Sequence, residues 1–175
     1  MRFAVARTRD EALLYLELHP CETCGSVETE WEHGLEEFDG ELAISYVGTC
    51  TDCGEERFYQ FGVPARETIT GTFPNFGGPE ASELLDAGEW LRVADLSASE
   101  VPVNDRPAAE RVLSVAAAAV EEVLKFIPPG HDEVPGDAFW TDEGRQVRDL
   151  EPGRFRLDRL LVVRDTYRQF AREGG

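Results

Sequence analysis

Lysine is almost missing from this chain of 175 residues: Lys125 stands alone among 17 basic side chains, and arginine fills every other place. That bias reflects a GC-rich coding genome and carries no functional signal. Positive charge is scarce altogether, since 35 Asp and Glu leave a formal net charge of −18. The deficit is uneven: residues 1–60 carry −10, residues 61–135 carry −8, and residues 136–175 balance to zero. Two-thirds of the chain would therefore repel a phosphate backbone, so nucleic acid is not the expected partner. A basic protein would instead be attracted and steered to it. Solubility is the plain alternative use of such a surface.

Long apolar runs are also absent. None approaches the roughly 18 residues needed to span a bilayer. The segment Met1-Arg2-Phe3-Ala4-Val5-Ala6-Arg7 is too short and too charged for a secretory signal. The expected location is the cytosol. The chain lacks a GxxxxGK[ST] phosphate loop, an HExxH helix, a GxSxG elbow and a dinucleotide fingerprint. With 42% hydrophobic and 10% aromatic residues, it still has enough apolar material for a sizeable core.

Cysteine is rare, and its placement is informative. All four cysteines fall in two pairs, Cys21-Glu22-Thr23-Cys24-Gly25 and Cys50-Thr51-Asp52-Cys53-Gly54. In a reducing compartment two CxxC pairs read as a metal site rather than disulfides. Two thiolates separated by two residues can reach one ion from a tight turn, and two such turns complete a tetrahedron. Gly25 and Gly54 each follow a second cysteine, where the turn favours positive φ and lets backbone N–H groups point at sulfur. The 25 residues from Gly25 to Thr49 are about one hairpin's length.

These two CxxCG units resemble the zinc-ribbon class over about residues 18–62. The resemblance implies the ribbon fold and one structural Zn2+ held by Cys21, Cys24, Cys50 and Cys53. It implies no activity, because ribbons serve many unrelated proteins. The same ligand set would also serve an iron centre, and a single CxxC would serve redox chemistry. A catalytic zinc is disfavoured, since four thiolates leave no open position.

Hydrophobic patterning supplies the rest. Met1–Val5 reads as a short strand. Thr8 then caps a helix, with Glu11 reaching back in a capping box, and His19-Pro20 ends it. Residues 27–37, 41–49 and 56–63 read as three antiparallel strands, with Asp39-Gly40 turning the first hairpin. In the second strand Leu42, Ile44 and Tyr46 share one face. Residues 64–79, punctuated by Gly71, Pro74, Gly77, Gly78 and Pro79, read as a boundary loop. Helices are expected over residues 80–86 and 89–96. A longer helix is capped by Asn104 or Asp105, with an apolar face from Ala109 to Ile127. Two more cover residues 139–150 and 154–172. Trp90 and Trp140 are expected in the core, as are Phe155, Leu160, Leu161, Val163, Tyr167 and Phe170.

The expected architecture is α+β: a zinc-ribbon module with a three-stranded antiparallel sheet over residues 1–64, packed on a mostly helical part over residues 65–175 as one compact unit. Its acidic first strand would place Glu28, Glu30 and Glu32 on one face. The reading favoured from the sequence is a non-enzymatic cytosolic protein-interaction module that binds a basic partner, with no membrane association. Overall the chain resembles small zinc-ribbon proteins of GC-rich bacteria, and that resemblance implies, as one specific version, a toxin-neutralising immunity protein. Two alternatives remain open. One is an enzyme with an acid–base site at His131, Asp132 and Glu133. The other is a nucleic-acid-binding ribbon. His19 and His33 flank the knuckles as further candidate ligands.

Overall fold

A computed structural model describes residues 2–66 and 71–173. It has an α+β arrangement, with a three-stranded antiparallel sheet near the N-terminus and helices dominating the C-terminal part. The chain divides into two compact units. One comprises Met1–Gly71, Asn75–Gly78 and Ser82–Leu84; the other comprises Thr72–Pro74, Pro79–Ala81 and Leu85–Gly175. No helix among the described residues is long and apolar enough to cross a membrane.

In the first unit, helix α1 (Arg9–Leu18) starts where Thr8 Oγ1 accepts the Glu11 N–H at 3.1 Å. The reciprocal half of the expected capping box is absent. Glu11 is fully buried and reaches one residue further back, accepting the Arg7 N–H at 2.8 Å and the Arg7 guanidinium at 2.8 and 3.1 Å. A buried carboxylate needs a charged partner more than α1 needs a second cap. Met1–Val5 forms no strand among the described residues. Only Val5 pairs, by a parallel bridge to Gly62.

Strands β1 (Thr29–Phe38), β2 (Glu41–Cys50) and β3 (Glu56–Gly62) form the sheet in the order β1-β2-β3. Asp39 and Gly40 take φ of 51° and 85°, the two positive values that a tight type I′ hairpin needs. Register then fixes the faces. Trp31, His33 and Leu35 lie opposite Gly48, Tyr46 and Ile44, and Tyr46 and Ile44 lie opposite Tyr59 and Phe61. Tyr15 of α1 covers this face, meeting Tyr59 and Phe61 edge-on with ring centroids 6.1 and 5.4 Å away. Gly48 is required by a close approach. A Cβ there would lie 2.6 Å from the Glu30 carbonyl oxygen and 3.0 Å from the Trp31 ring. Of the expected loop over residues 64–79, residues 67–70 lie outside the described residues, and the remainder is irregular.

The second unit contains α2 (Ala87–Ser99), α3 (Arg106–Leu124), α4 (Asp142–Leu150) and α5 (Leu157–Glu173), with 3-10 turns at Gly136–Ala138 and Pro152–Phe155. Its core seals Leu85, Trp90, Leu91, Val120, Val123 and Leu160. The expected helix over residues 80–86 does not form. Side chains there take local backbone bonds instead: Ser82 Oγ accepts the Leu84 N–H, and Asp86 becomes the N-cap of α2. Asp86 and Glu89 supply the capping box that α1 lacks.

Helix α3 is capped by Asp105, one of the two caps read from the sequence, and ends at Leu124, short of Ile127. The Phe126 and Ile127 N–H groups bond three residues back, because Pro128 disfavours helical backbone before it. Helix α4 starts at Asp142 rather than Phe139, since the Trp140 and Thr141 N–H groups go to the Asp86 carboxylate at 3.0 and 2.8 Å. Trp140, expected in the core, is exposed, and so is Phe170 near the end of α5. Gly88 and Gly144 let the starts of α2 and α4 meet. A Cβ on Gly88 would lie 2.2 Å from the Gly144 carbonyl oxygen, and one on Gly144 would lie 2.0 Å from the Asp86 carboxylate.

Candidate metal centre

The four cysteines, far apart in sequence, converge at one end of the sheet. Each pair sits in the same local turn. The Gly25 N–H donates to the Cys21 carbonyl at 2.7 Å, and the Gly54 N–H to the Cys50 carbonyl at 2.9 Å. The Cys21 and Cys50 N–H groups close the far side, donating to the carbonyls of Ser26 and Glu55 at 2.8 and 2.9 Å. Gly25 and Gly54 adopt φ of 76° and 78°, which a side chain would strain. The two turns are held in register because β1 and β2 pair along their full length, with Thr29 opposite Cys50. The Thr51 N–H and hydroxyl extend the pairing by donating to the Glu28 carbonyl at 3.0 and 3.1 Å.

All four sulfurs lie within 4.8 Å of one another, with Cys21 to Cys53 at 3.6 Å and Cys24 to Cys50 at 3.5 Å. A tetrahedral ion with bonds of about 2.3 Å needs sulfurs about 3.8 Å apart, so the donor set fits such an ion. None of the four is in a disulfide. Cys21 and Cys50 are buried, while Cys24 and Cys53 face solvent.

Electrostatics point the same way. Backbone N–H donation from Cys53, aided by Asp52, draws the Cys50 thiol down to about 7, and N–H donation from Cys24 and Thr23 lowers Cys21. The other two move oppositely. The Ser26 N–H pulls Cys24 down, but contact with the Cys50 thiol and desolvation leave it raised. The Glu55 N–H acts similarly on Cys53, yet desolvation and three neighbouring thiols carry it up to about 12. Four thiols in contact cannot all ionise unless a cation neutralises them. A divalent metal does so, and binding it releases protons.

Arg57 supports the site and is not evident from motif spacing. Its guanidinium donates to the Thr29 hydroxyl at 2.9 Å and to the His19 carbonyl, and it stacks 4.9 Å from the Trp31 ring centroid. The chain segments leading into the first knuckle and into β1 are thereby tied to β3. The signal for it was the alternation of Arg57, Tyr59 and Phe61, which places an arginine on the aromatic face.

The remaining candidates stay apart. Among the described residues, neither His19 nor His33 joins the cysteine cluster. His19 stacks on Tyr15 and His33 on Tyr46, with ring centroids 3.9 and 5.6 Å apart. His131, Asp132 and Glu133 are all exposed, and the Glu133 backbone bridges to Arg156.

The fold and site thus define a three-stranded ribbon bearing a four-cysteine candidate metal centre, an arrangement compatible with a zinc ribbon. Comparison with family models, with curated proteins and with solved structures finds no match for this chain.

Proposed function

We propose that the chain is a zinc-stabilised, non-enzymatic interaction module that binds a basic protein through the acidic sheet of its ribbon. Zinc is the proposed ion because a closed set of four thiolates suits a tetrahedral metal without redox demands, and iron is the competitor that elemental analysis separates. Such an ion is structural. It holds residues 18–62 in place and leaves no position for a substrate.

The observation that carries the reading is β1 with its hairpin. Glu30, Glu32, Glu36 and Glu37 of this ten-residue strand, Asp39 in the turn that follows and Glu41 at the start of β2 are all exposed. A concentration of one sign on a rigid sheet attracts the opposite sign at long range and raises the encounter rate. A toxin-neutralising role is one specific form, in which the acidic sheet covers a basic nucleic-acid-binding cleft.

The test is affinity capture with the metal-loaded chain, followed by titration of the purified partner between about 0.05 and 0.3 M salt. The reading predicts a basic partner whose affinity falls several-fold as salt rises and falls again with Glu30→Lys and Glu32→Lys together. A partner indifferent to both would overturn it.

A further inference from the structure

Strand β1 is an edge. The sheet order is β1-β2-β3, so β1 pairs with β2 on one side and, among the described residues, with nothing on the other. Which backbone groups face outward follows from the turn. A two-residue hairpin closes on a hydrogen-bonded pair, here Phe38 with Glu41, and the bonding alternates along the ladder. The even-numbered residues of β1 therefore point their N–H and C=O groups at β2. The bond from the Thr51 N–H to the Glu28 carbonyl continues the same parity at the far end. The odd-numbered residues Trp31, His33 and Leu35 accordingly present N–H and C=O groups along the open edge.

Side chains alternate in step with the backbone. Glu30, Glu32 and Glu36 stand on one face of β1, with Trp31, His33 and Leu35 on the other. Behind Glu32, in a row across the sheet, come Val47 and Phe58, which are 50% and 56% exposed. Leu35 is 62% exposed on the opposite face. Edge strands are commonly blunted by proline, lysine, a bulge or short length. This one has ten residues, unbroken register and none of those devices; its only guard is carboxylate.

That guard selects the occupant. A second copy pairing edge to edge would set glutamate near glutamate, which is destabilising. A strand bearing arginine or lysine at every second position would instead set a cation against Glu30, Glu32 and Glu36, with its apolar residues beside Trp31 and Leu35. We infer that the open edge of β1 is a docking site for an extended segment of a basic protein, which adds to the sheet as a fourth strand with basic and apolar residues alternating. Main-chain bonds supply affinity and the alternate side chains supply selectivity. The inference rests on the proposed function and specifies how that surface would hold its partner.

The test uses the full metal-loaded chain and a synthetic nine-residue peptide alternating arginine with valine. Three controls accompany it: the same residues in block order, a glutamate–valine peptide, and the arginine–valine peptide N-methylated on the amides of alternate residues, in both phases. Binding is followed by titration and by amide exchange across β1. The expected result is binding of the alternating basic peptide with new exchange protection at Trp31, His33 and Leu35. Methylation in one phase should weaken it at least about tenfold, and so should Glu30→Lys with Glu32→Lys. If both methylated peptides bind as well as the parent and edge amides gain no protection, strand addition is overturned, while salt-sensitive binding of a basic partner still stands. Absence of binding by the alternating peptide, or dimerisation of the chain alone through β1, also overturns it. Salt-insensitive partner binding removes the underlying reading instead.

Discussion

The helical unit buries Trp90, Leu85, Leu91, Val120, Val123 and Leu160 at 0–1% exposure, while in the ribbon unit a whole ten-residue strand, β1, has no fully buried residue. Apolar burial at about 25 cal/mol per Å2 accounts for the first kind of stability. The ribbon unit instead has a thin aromatic layer between α1 and the sheet, a buried Arg7–Glu11 pair and four converging thiols. Charge is graded along the chain: residues 1–60 carry −10, residues 61–135 carry −8, and residues 136–175 balance to zero. A region whose surface is acidic and whose first strand stays exposed would gain stability from a cross-link that needs no interior volume, and an ion held by the four cysteines would be such a cross-link.

Removing one ligand should break the comparison most sharply. Structural zinc sites contribute about 10 kcal/mol or more, so Cys50→Ser should abolish folding of the ribbon and leave exchange protection in α2, α3 and α5 intact. Loss of protection in both regions together would contradict separate means of support. The next largest effect is expected in the helical unit. Asp86→Ala leaves the Glu89, Trp140 and Thr141 N–H groups without their carboxylate, at a cost of about 3 kcal/mol or more. Chemical denaturation should show that loss while metal content stays unchanged. In the ribbon, Gly48→Ala forces a methyl group onto the Glu30 carbonyl and the Trp31 ring and should cost about 1–3 kcal/mol, read as a lower metal-retention temperature.

The smallest effect sharpens the comparison by its sign. Glu89 is pushed up to about 7, mainly by desolvation and despite the Asp86 N–H it accepts. Its folded form binds a proton that the unfolded chain releases nearer 4.5, so this contribution is complete below the unfolded value and is lost as pH rises through about 7. The half-exposed site screens the effect to about 1 kcal/mol or less. The ribbon should respond oppositely, since acid protonates thiolates and releases the metal. Glu89→Gln should therefore remove a component that falls with rising pH from the helical unit alone, while the metal-bound ribbon gains stability as pH rises.

Local signals made much of this legible in sequence. Asp39-Gly40 and the alternation on either side set the hairpin, and CxxCG repeats set the knuckles, because each acts within a few residues. Thr8 and Asp105 capped the helices that their spacing announced. The features that escaped depend on distant partners. Asp86 binds residues 54 and 55 positions away, and that claim on the backbone delays the start of α4 and leaves Trp140 at the surface. Gly88 and Gly144 matter only because the starts of α2 and α4 meet, Gly88 against the Gly144 backbone and Gly144 against the Asp86 carboxylate. Glu11 looked like half of a capping box until the buried Arg7 guanidinium took its carboxylate.

The most direct test of the account is elemental analysis of the chain purified without added metal, paired with region-resolved amide exchange before and after chelation. The account predicts about one zinc per chain and, on its removal, loss of protection confined to the α1 and β1–β3 region. Absence of zinc, iron in its place, or removal of the metal with the ribbon still protected would contradict it.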